Sequence, residues 1–524
     1  VDEGAAGAGG SRRPAGRPRT LSDDLQAQLA LLPEYLGQHL LLTVVALLLG
    51  VGLSLPLAVL LTRVRALKGP VLGLASVVQT IPGLALLALM VPLLRTIGFV
   101  PAAIALVLYS MLPVIRNTVT GIDKVDPSLI EAGRGLGMSD MQLLMRVQLP
   151  LALPVIIAGI RTATVWVVGM ATLSTPVGAT SLGNYIFSGL QTQNYTAVLV
   201  GCVAAAGLAL LLDALIRLVE AGVRRRSRAL LMGATTALVA ICLAGLAPLL
   251  AGNERAEQRP VVIGAKTFTE QYILAELIDS RLAAAGFETD LRSSLGSTIA
   301  FDALRNDEID MYVDYSGTIW ANYMQRDDNP GRAEILTGVR DWLARQHGIV
   351  TIVPLGFENA YALATTREAA ERLRLENIDD LARVAGQLSI AGDYEFFARP
   401  VWQALELRYG LAFAEQVSMD STLMYPAIAA GEVDVISAYS TDGRIAAQDL
   451  VVLEDPREAL PPYDAVLMLS PRATRERPEL VRLVERWANR ITAEEMRAAN
   501  RAVDLDGSSV GDAAHQLGAA LTVD

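Results

Sequence analysis

Apolar residues are spread unevenly along this chain. In the first half they gather into long runs at 36–61, 71–94, 100–115, 149–176, 196–218 and 229–250. A helix needs roughly 20 such residues to cross a bilayer core, so the pattern predicts about six spanning helices. In the second half the runs shorten to strand length, as at 261–264, 389–391 and 433–436, and alternate with helical patterns at 271–285 and 480–491. That alternation predicts an α/β domain, long enough for two lobes around a cleft. The expected organisation is an N-terminal tail (1–35), a helical membrane domain (36–225), an extra span and linker (226–258) and a soluble domain (259–524).

Charge sharpens the division. Residues 1–258 carry 19 Lys+Arg against 13 Asp+Glu, whereas residues 259–524 carry 25 against 42, so a basic apolar half is joined to an acidic one. Lys and Arg of short loops stay in the cytoplasm. Arg63, Arg65 and Lys68 follow the first run, Arg116, Lys124, Arg134 and Arg146 the third, and Arg217, Arg224, Arg225, Arg226 and Arg228 surround the loop after the fifth. Those three loops are expected inside, which delivers the acidic domain to the far side. The tail follows the same logic outward despite Arg12, Arg13, Arg17 and Arg19. Nothing before Leu36 reads as a cleavable signal. Pro56, Pro82, Pro92, Pro113, Pro154 and Pro176 interrupt or end the spans, and Gln79, Asn117, Arg161 and Asp213 are costly in lipid and should face other helices.

Several chemistries are excluded. Cys202 and Cys242 both lie in apolar runs, which leaves no disulfide scaffold, cysteine zinc site or iron–sulfur cluster. His39, His347 and His515 lack metal-ligand spacing, so no metal and no cofactor is expected. An acidic soluble half repels phosphates and disfavours nucleic acid. Lys266-Thr267 follows Ala265 without the glycine of a phosphate loop, and no Ser or His stands in a hydrolase pattern. No catalytic residue is expected, and any energy source must come from a partner.

The acidic half holds ten of the 14 tyrosines. A trimethylammonium head offers no ordinary hydrogen bonds, so a protein holds it with electron-rich ring faces within about 6 Å. A lone Tyr is more often a packing residue; several converging in a cleft would form a cage.

Two stretches carry a resemblance. Glu131-Ala132-Gly133-Arg134-Gly135-Leu136-Gly137-Met138, followed by Leu149-Pro150, resembles the coupling loop of ATP-binding-cassette (ABC) importer permeases, with Gly133 where a second Ala is usual. Val78-Gln79-Thr80-Ile81-Pro82-Gly83 and Ala171-Thr172-Leu173-Ser174-Thr175-Pro176-Val177-Gly178 are similar to permeases of the quaternary-amine uptake family. In the acidic half, Gly264-Ala265-Lys266-Thr267-Phe268-Thr269-Glu270-Gln271, Leu295-Gly296-Ser297-Thr298 and Ile309-Asp310-Met311-Tyr312-Val313-Asp314-Tyr315 resemble the binding proteins of the same importers.

The resemblance implies an α-helical transmembrane permease domain of about six spans fused to an α/β two-lobed periplasmic-binding-protein domain. It implies uptake of glycine betaine, carnitine, choline or ergothioneine, the last favoured by Ser174–Gly178 and Tyr394–Phe397. It places a cage at Tyr315, Tyr361, Tyr439 and Tyr463, ligand choice at Thr298, and carboxylate anchors at Lys266, with Thr267 beside it, and Arg399. Coupling falls to Glu131, Ala132, Gly133, Gly137, Leu149 and Pro150, with Leu136, Met138, Met141 and Leu144 as an apolar knob. The implied partners are two copies of a separate ATP-binding subunit, a second copy of this chain, a small zwitterionic or cationic ligand and the lipid bilayer. A receptor that senses ligand without transport is the alternative, and the coupling loop argues against it.

Overall fold

The computed structural model describes residues 21–192, 194–250, 259–326, 328–393, 396–398 and 400–521. Among the described residues, ten α-helices build the first half. α1 (Leu21–Arg63) starts well before the expected first span, inside the presumed tail, and α2 (Arg65–Thr80) and α3 (Gly83–Leu94) follow it. α2 and α3 meet at 102°, so the second apolar run is broken rather than straight. The cause is local: Pro82 has no N–H to continue the ladder, and Ile81 before it sits in extended backbone (φ −69°, ψ 128°). α4 (Phe99–Asp123), α5 (Pro127–Gly135), α6 (Asp140–Leu143), α7 (Leu149–Ala171), α8 (Gly183–Gln191), α9 (Tyr195–Arg224) and α10 (Arg228–Leu250) complete the domain. Among the described residues, five helices are long and apolar enough to cross a membrane, or six with the bent pair as one span.

The costly polar side chains behave as their desolvation demands. Arg161 of α7 meets Asp213 (3.4 Å) and Glu220 (2.9 Å) of α9, Asn117 donates to the Pro113 carbonyl, and Gln79 reaches the Tyr109 carbonyl at 3.4 Å.

The second half forms two five-stranded sheets. Its strands are β1 (Val261–Lys266), β2 (Thr289–Leu295), β3 (Met311–Tyr315), β4 (Ile352–Glu358), β5 (Tyr361–Thr366), β6 (Ser389–Gly392), β7 (Glu415–Ser418), β8 (Val435–Tyr439), β9 (Leu450–Val452) and β10 (Asp464–Leu469). The order β2-β1-β3-β10-β4 makes one lobe and β7-β6-β8-β5-β9 the other. The chain therefore crosses between lobes twice, at Asn359–Ala360 and again before β10. The crossings touch, since Asn359 N–H donates to the Tyr463 carbonyl (3.0 Å). α11 (Thr269–Ala284) and α12 (Ser297–Arg305) open on the cleft side of the first lobe.

The helix expected at 480–491 ends early, at Glu485. Asn489 adopts a left-handed φ of 55°, and Asn489 and Ile491 instead donate to the carbonyls of Pro354 and Leu355 in β4.

Candidate functional site

A cleft of about 250 Å³ lies between the lobes, at the two crossings. Strand register places its aromatic wall. Tyr361 opens β5 directly opposite Tyr439 at the end of β8, so the two rings share a face 5.0 Å apart. Tyr463, on the other crossing, meets Tyr361 edge-on at 5.6 Å. Behind this trio Asp393 accepts from the Tyr439 hydroxyl at 2.6 Å, from Tyr361 at 3.4 Å and from the Phe396 N–H at 2.9 Å. A carboxylate accepting from phenol hydroxyls increases electron density on the rings, which suits a cation at their faces.

Of the residues singled out in the sequence, Lys266, Thr267, Tyr315, Tyr361, Tyr439 and Tyr463 all line this cleft. Two of them, Lys266 and Tyr315, are already engaged within the protein. Lys266 is buried in an ion pair with Asp314, whose other oxygen accepts from Tyr312 at 2.6 Å, so its charge is already spent. Its ammonium also lies 5.3 Å from the Tyr315 ring, which gives that ring an internal cation and sets it apart from the trio. Thr298 is exposed and does not line the cleft; its neighbour Ser297 does, because α12 turns about 100° per residue from its first position. Arg399 lies outside the described residues.

Sequence reasoning passed over the polar end of the cleft. Glu270, in the first turn of α11, is buried and accepts four hydrogen bonds. They come from Tyr315 (2.6 Å), Asn359 (3.0 Å), Thr441 (2.6 Å) and Asn500 (3.0 Å). Burial pushes its carboxyl upward, and the four donors pull back. Arg444 commits Nε and Nη2 to Asp442 and stacks 4.0 Å over the Tyr425 ring. The lining holds five carboxylates, Glu270, Asp393, Asp420, Asp442 and Asp504, against Lys266 and Arg444, so the cleft favours a cation.

Asp504 stands beside this end, accepting from Thr269 at 2.7 Å. Burial pushes its carboxyl up to about 6, against the pull of Arg444 and with help from Asp442 and Glu270. An acid with a raised pKa takes up a proton on folding, so its ionisation withholds stability increasingly as pH rises from its ordinary value through about 6. Asp504→Asn is therefore expected to stabilise the domain at about pH 7.5 by on the order of 2 kcal/mol, with the gain fading below about pH 4. Thermal melts of the full chain at the two pH values check this.

The loop from α5 to α7 is equally specific. α5 ends in a Schellman turn: Met138 N–H donates to the Gly133 carbonyl and Gly137 N–H to Arg134, with Gly137 at φ 79°. Ser139 and Gln142 then cap α6 reciprocally. Gly133 is buried, and a Cβ there would come within 2.5 Å of Leu143 Cδ2, so alanine at that position requires the Leu143 side chain to shift. Leu136 and Met141 are exposed, at 80% and 64%, as is Met145. Leu144, expected in the knob, is buried against Ile122, Ala152 and Ile156, because the π-helical turn Leu144–Gln148 directs it inward.

Comparison with known proteins matches these two halves separately. Residues 50–225 fit the family described as binding-protein-dependent transport system inner membrane component. Residues 259–517 fit the substrate binding domain of the ABC-type glycine betaine transport system. A glycine betaine/carnitine/choline transport system permease protein of Bacillus subtilis (strain 168) is 43% identical over 184 residues, 35% of this chain and 84% of that permease. The chain belongs to the ABC importer permeases, with the substrate-binding domain fused to it. An ergothioneine transport permease/ergothioneine binding protein of Helicobacter pylori (strain G27) is 29% identical to this importer chain over 458 residues, 85% of the chain and 81% of that protein. A crystal structure of a glycine betaine/carnitine/choline ABC transporter matches with 27% identity, covering 49% of the chain and 96% of that structure at a TM-score of 0.44. The importer chain is thus a multi-pass membrane protein rather than an enzyme, and it works with an ATP-binding subunit and a small ligand.

Proposed function

We propose that this chain captures a trimethylammonium compound in the cleft outside the cytoplasm and passes it to its own membrane domain. It works as a homodimer beside two copies of a separate ATP-binding subunit, whose motion arrives through Glu131 to Pro150. The observation that carries this reading is the tyrosine trio, Tyr361, Tyr439 and Tyr463, in a cleft with surplus carboxylates. A quaternary cation meets ring faces there, and the ligand's own carboxylate turns to Arg444, whose Nη1 edge Asp442 leaves uncommitted. Arg399 is a second candidate for that anchor. Ergothioneine is the preferred cargo, supported by a relative of that name with both domains in one chain. Fusion raises the local concentration of receptor at its gate.

Calorimetry on the full chain in nanodiscs, with ergothioneine, glycine betaine, carnitine and choline, tests the ligand. At least one should bind, and its demethylated analogue at least about tenfold more weakly. Equal affinity for the demethylated analogue rejects the cage. Uptake into vesicles lacking any ATP-binding subunit rejects the importer mechanism.

A further inference from the structure

The binding domain does not hang free of the membrane helices. Its first lobe is seated on them: Gly296 N–H, between β2 and α12, donates to the Pro176 carbonyl at 3.2 Å. Around that bond Leu295 and Ala300 share one buried apolar cluster with Ile97, Val177 and Ala179 of the membrane domain. The seat is tight, since a Cβ on Gly178 would lie 3.2 Å from Leu295 Cδ2. Every one of these contacts comes from the lobe built on β1, β2 and β3; closure can be made by the other lobe while this one stays in place.

This seat brings the end of α8 to the cleft. Gln191 is the last residue of that helix and lines the same cavity as the tyrosines. Its carbonyl lies 3.2 Å from the Thr269 hydroxyl, which gives its one proton to Asp504 at 2.7 Å. Thr269 begins α11, and Glu270 follows it directly. A backbone carbonyl of the membrane domain is therefore one residue away from the buried carboxylate that joins both lobes.

Resting on the reading of this cleft as the ligand site, we infer that the membrane domain completes that site: the C-terminal end of α8, at Gln191, forms part of the cleft wall and faces the bound ligand. A segment of the membrane domain then touches the cargo before release. Ligand occupancy is felt by the membrane helices through a contact with the cleft itself, in addition to any contact between domain surfaces. A side chain that enlarges the end of α8 should compete with ligand for the cavity.

The test uses the full chain in nanodiscs. In a Cys202→Ala, Cys242→Ala background, Gln191→Cys supplies a single thiol for a small neutral methanethiosulfonate. Whichever of ergothioneine, glycine betaine, carnitine or choline the wild-type chain binds is added to saturation. Modification at position 191 should slow at least about fivefold, while a Leu407→Cys control, 86% exposed and on the other lobe, should react unchanged. Independently, Gln191→Trp should raise the dissociation constant at least about tenfold with the thermal midpoint of the soluble domain unaltered. Ligand binding with no protection of the Gln191→Cys thiol, or an unchanged dissociation constant for a folded Gln191→Trp chain, overturns the inference alone. A wild-type chain that binds none of the four compounds overturns the ligand reading, and this inference with it.

Discussion

Glu270→Ala is expected to destabilise the soluble domain by about 3–5 kcal/mol, more than any other single substitution at the site. Tyr315 comes from the first lobe, Asn359 from a crossing, Thr441 from the second lobe and Asn500 from the helix Ala493–Asp504, so one carboxylate gathers donors from four parts of the domain. Removing it strands these donors, each costing roughly 1–3 kcal/mol when buried without a partner. The full sum is not expected, because water can enter from the adjacent cleft and satisfy part of the set. Glu270→Gln should cost less. Its amide keeps one acceptor oxygen but turns an NH2 group toward donors on the other side, where the Thr441 hydroxyl can rotate to accept and the Asn500 amide cannot without flipping. Urea unfolding of the soluble domain within the full chain, followed by tryptophan fluorescence, measures both. A loss below about 1 kcal/mol for Glu270→Ala would show that the four bonds are redundant.

The position of Glu270 also explains why part of this site was legible in the sequence and part was not. Runs of apolar residues reveal how many membrane segments exist, since burying a span in lipid is a property of its composition. They carry no direction, so Pro82 marks an interruption of the span but not the 102° through which it bends. The cleft tyrosines were singled out by residue type and family resemblance, and their convergence follows from register: Tyr361 and Tyr439 face each other only because β5 and β8 pair where they do. A single glutamate in the first turn of a helix ordinarily reads as a solvated side chain favoured by the helix dipole. The available signal was the unbroken apolar run Tyr272-Ile273-Leu274-Ala275 just after it. That run leaves the first turns of the helix no polar face, and the structure buries Thr269 through Ala275. Arg444 and Asp442 gave no local signal, because their pairing near the ligand depends on how the second lobe closes its sheet. Leu144 was misplaced for a similar reason: helical periodicity was extended through a segment that winds as a π-turn.

Tyr361→Ala is expected to weaken binding of any trimethylated ligand by about tenfold or more, whereas Tyr361→Phe should stay within about threefold of the native chain. The contrast follows from what each change removes. Tyr361 contacts both other members of the trio, Tyr439 at 5.0 Å and Tyr463 at 5.6 Å, and rests on Phe396 at 5.2 Å, so truncation removes the ring on which the arrangement is centred. Phenylalanine keeps the ring face and loses only a hydroxyl whose bond to Asp393 is long, at 3.4 Å. Asp393 keeps its shorter bond to Tyr439 at 2.6 Å and the Phe396 N–H, so the carboxylate behind the rings is not stranded. If the ligand were held by hydrogen bonds to phenol oxygens instead of by ring faces, the order would reverse and Phe would fare about as badly as Ala. Titration of the two variants in the full chain with the same trimethylated compound therefore separates the two modes of recognition. Tyr315 supplies the internal comparison: its hydroxyl is committed to Glu270 and its ring already has the Lys266 ammonium 5.3 Å from its centroid, so that ring is engaged by an internal cation. On the proposed reading, cation recognition rests on Tyr361, Tyr439 and Tyr463 at the crossings, and Tyr361 is the one whose loss opens the wall.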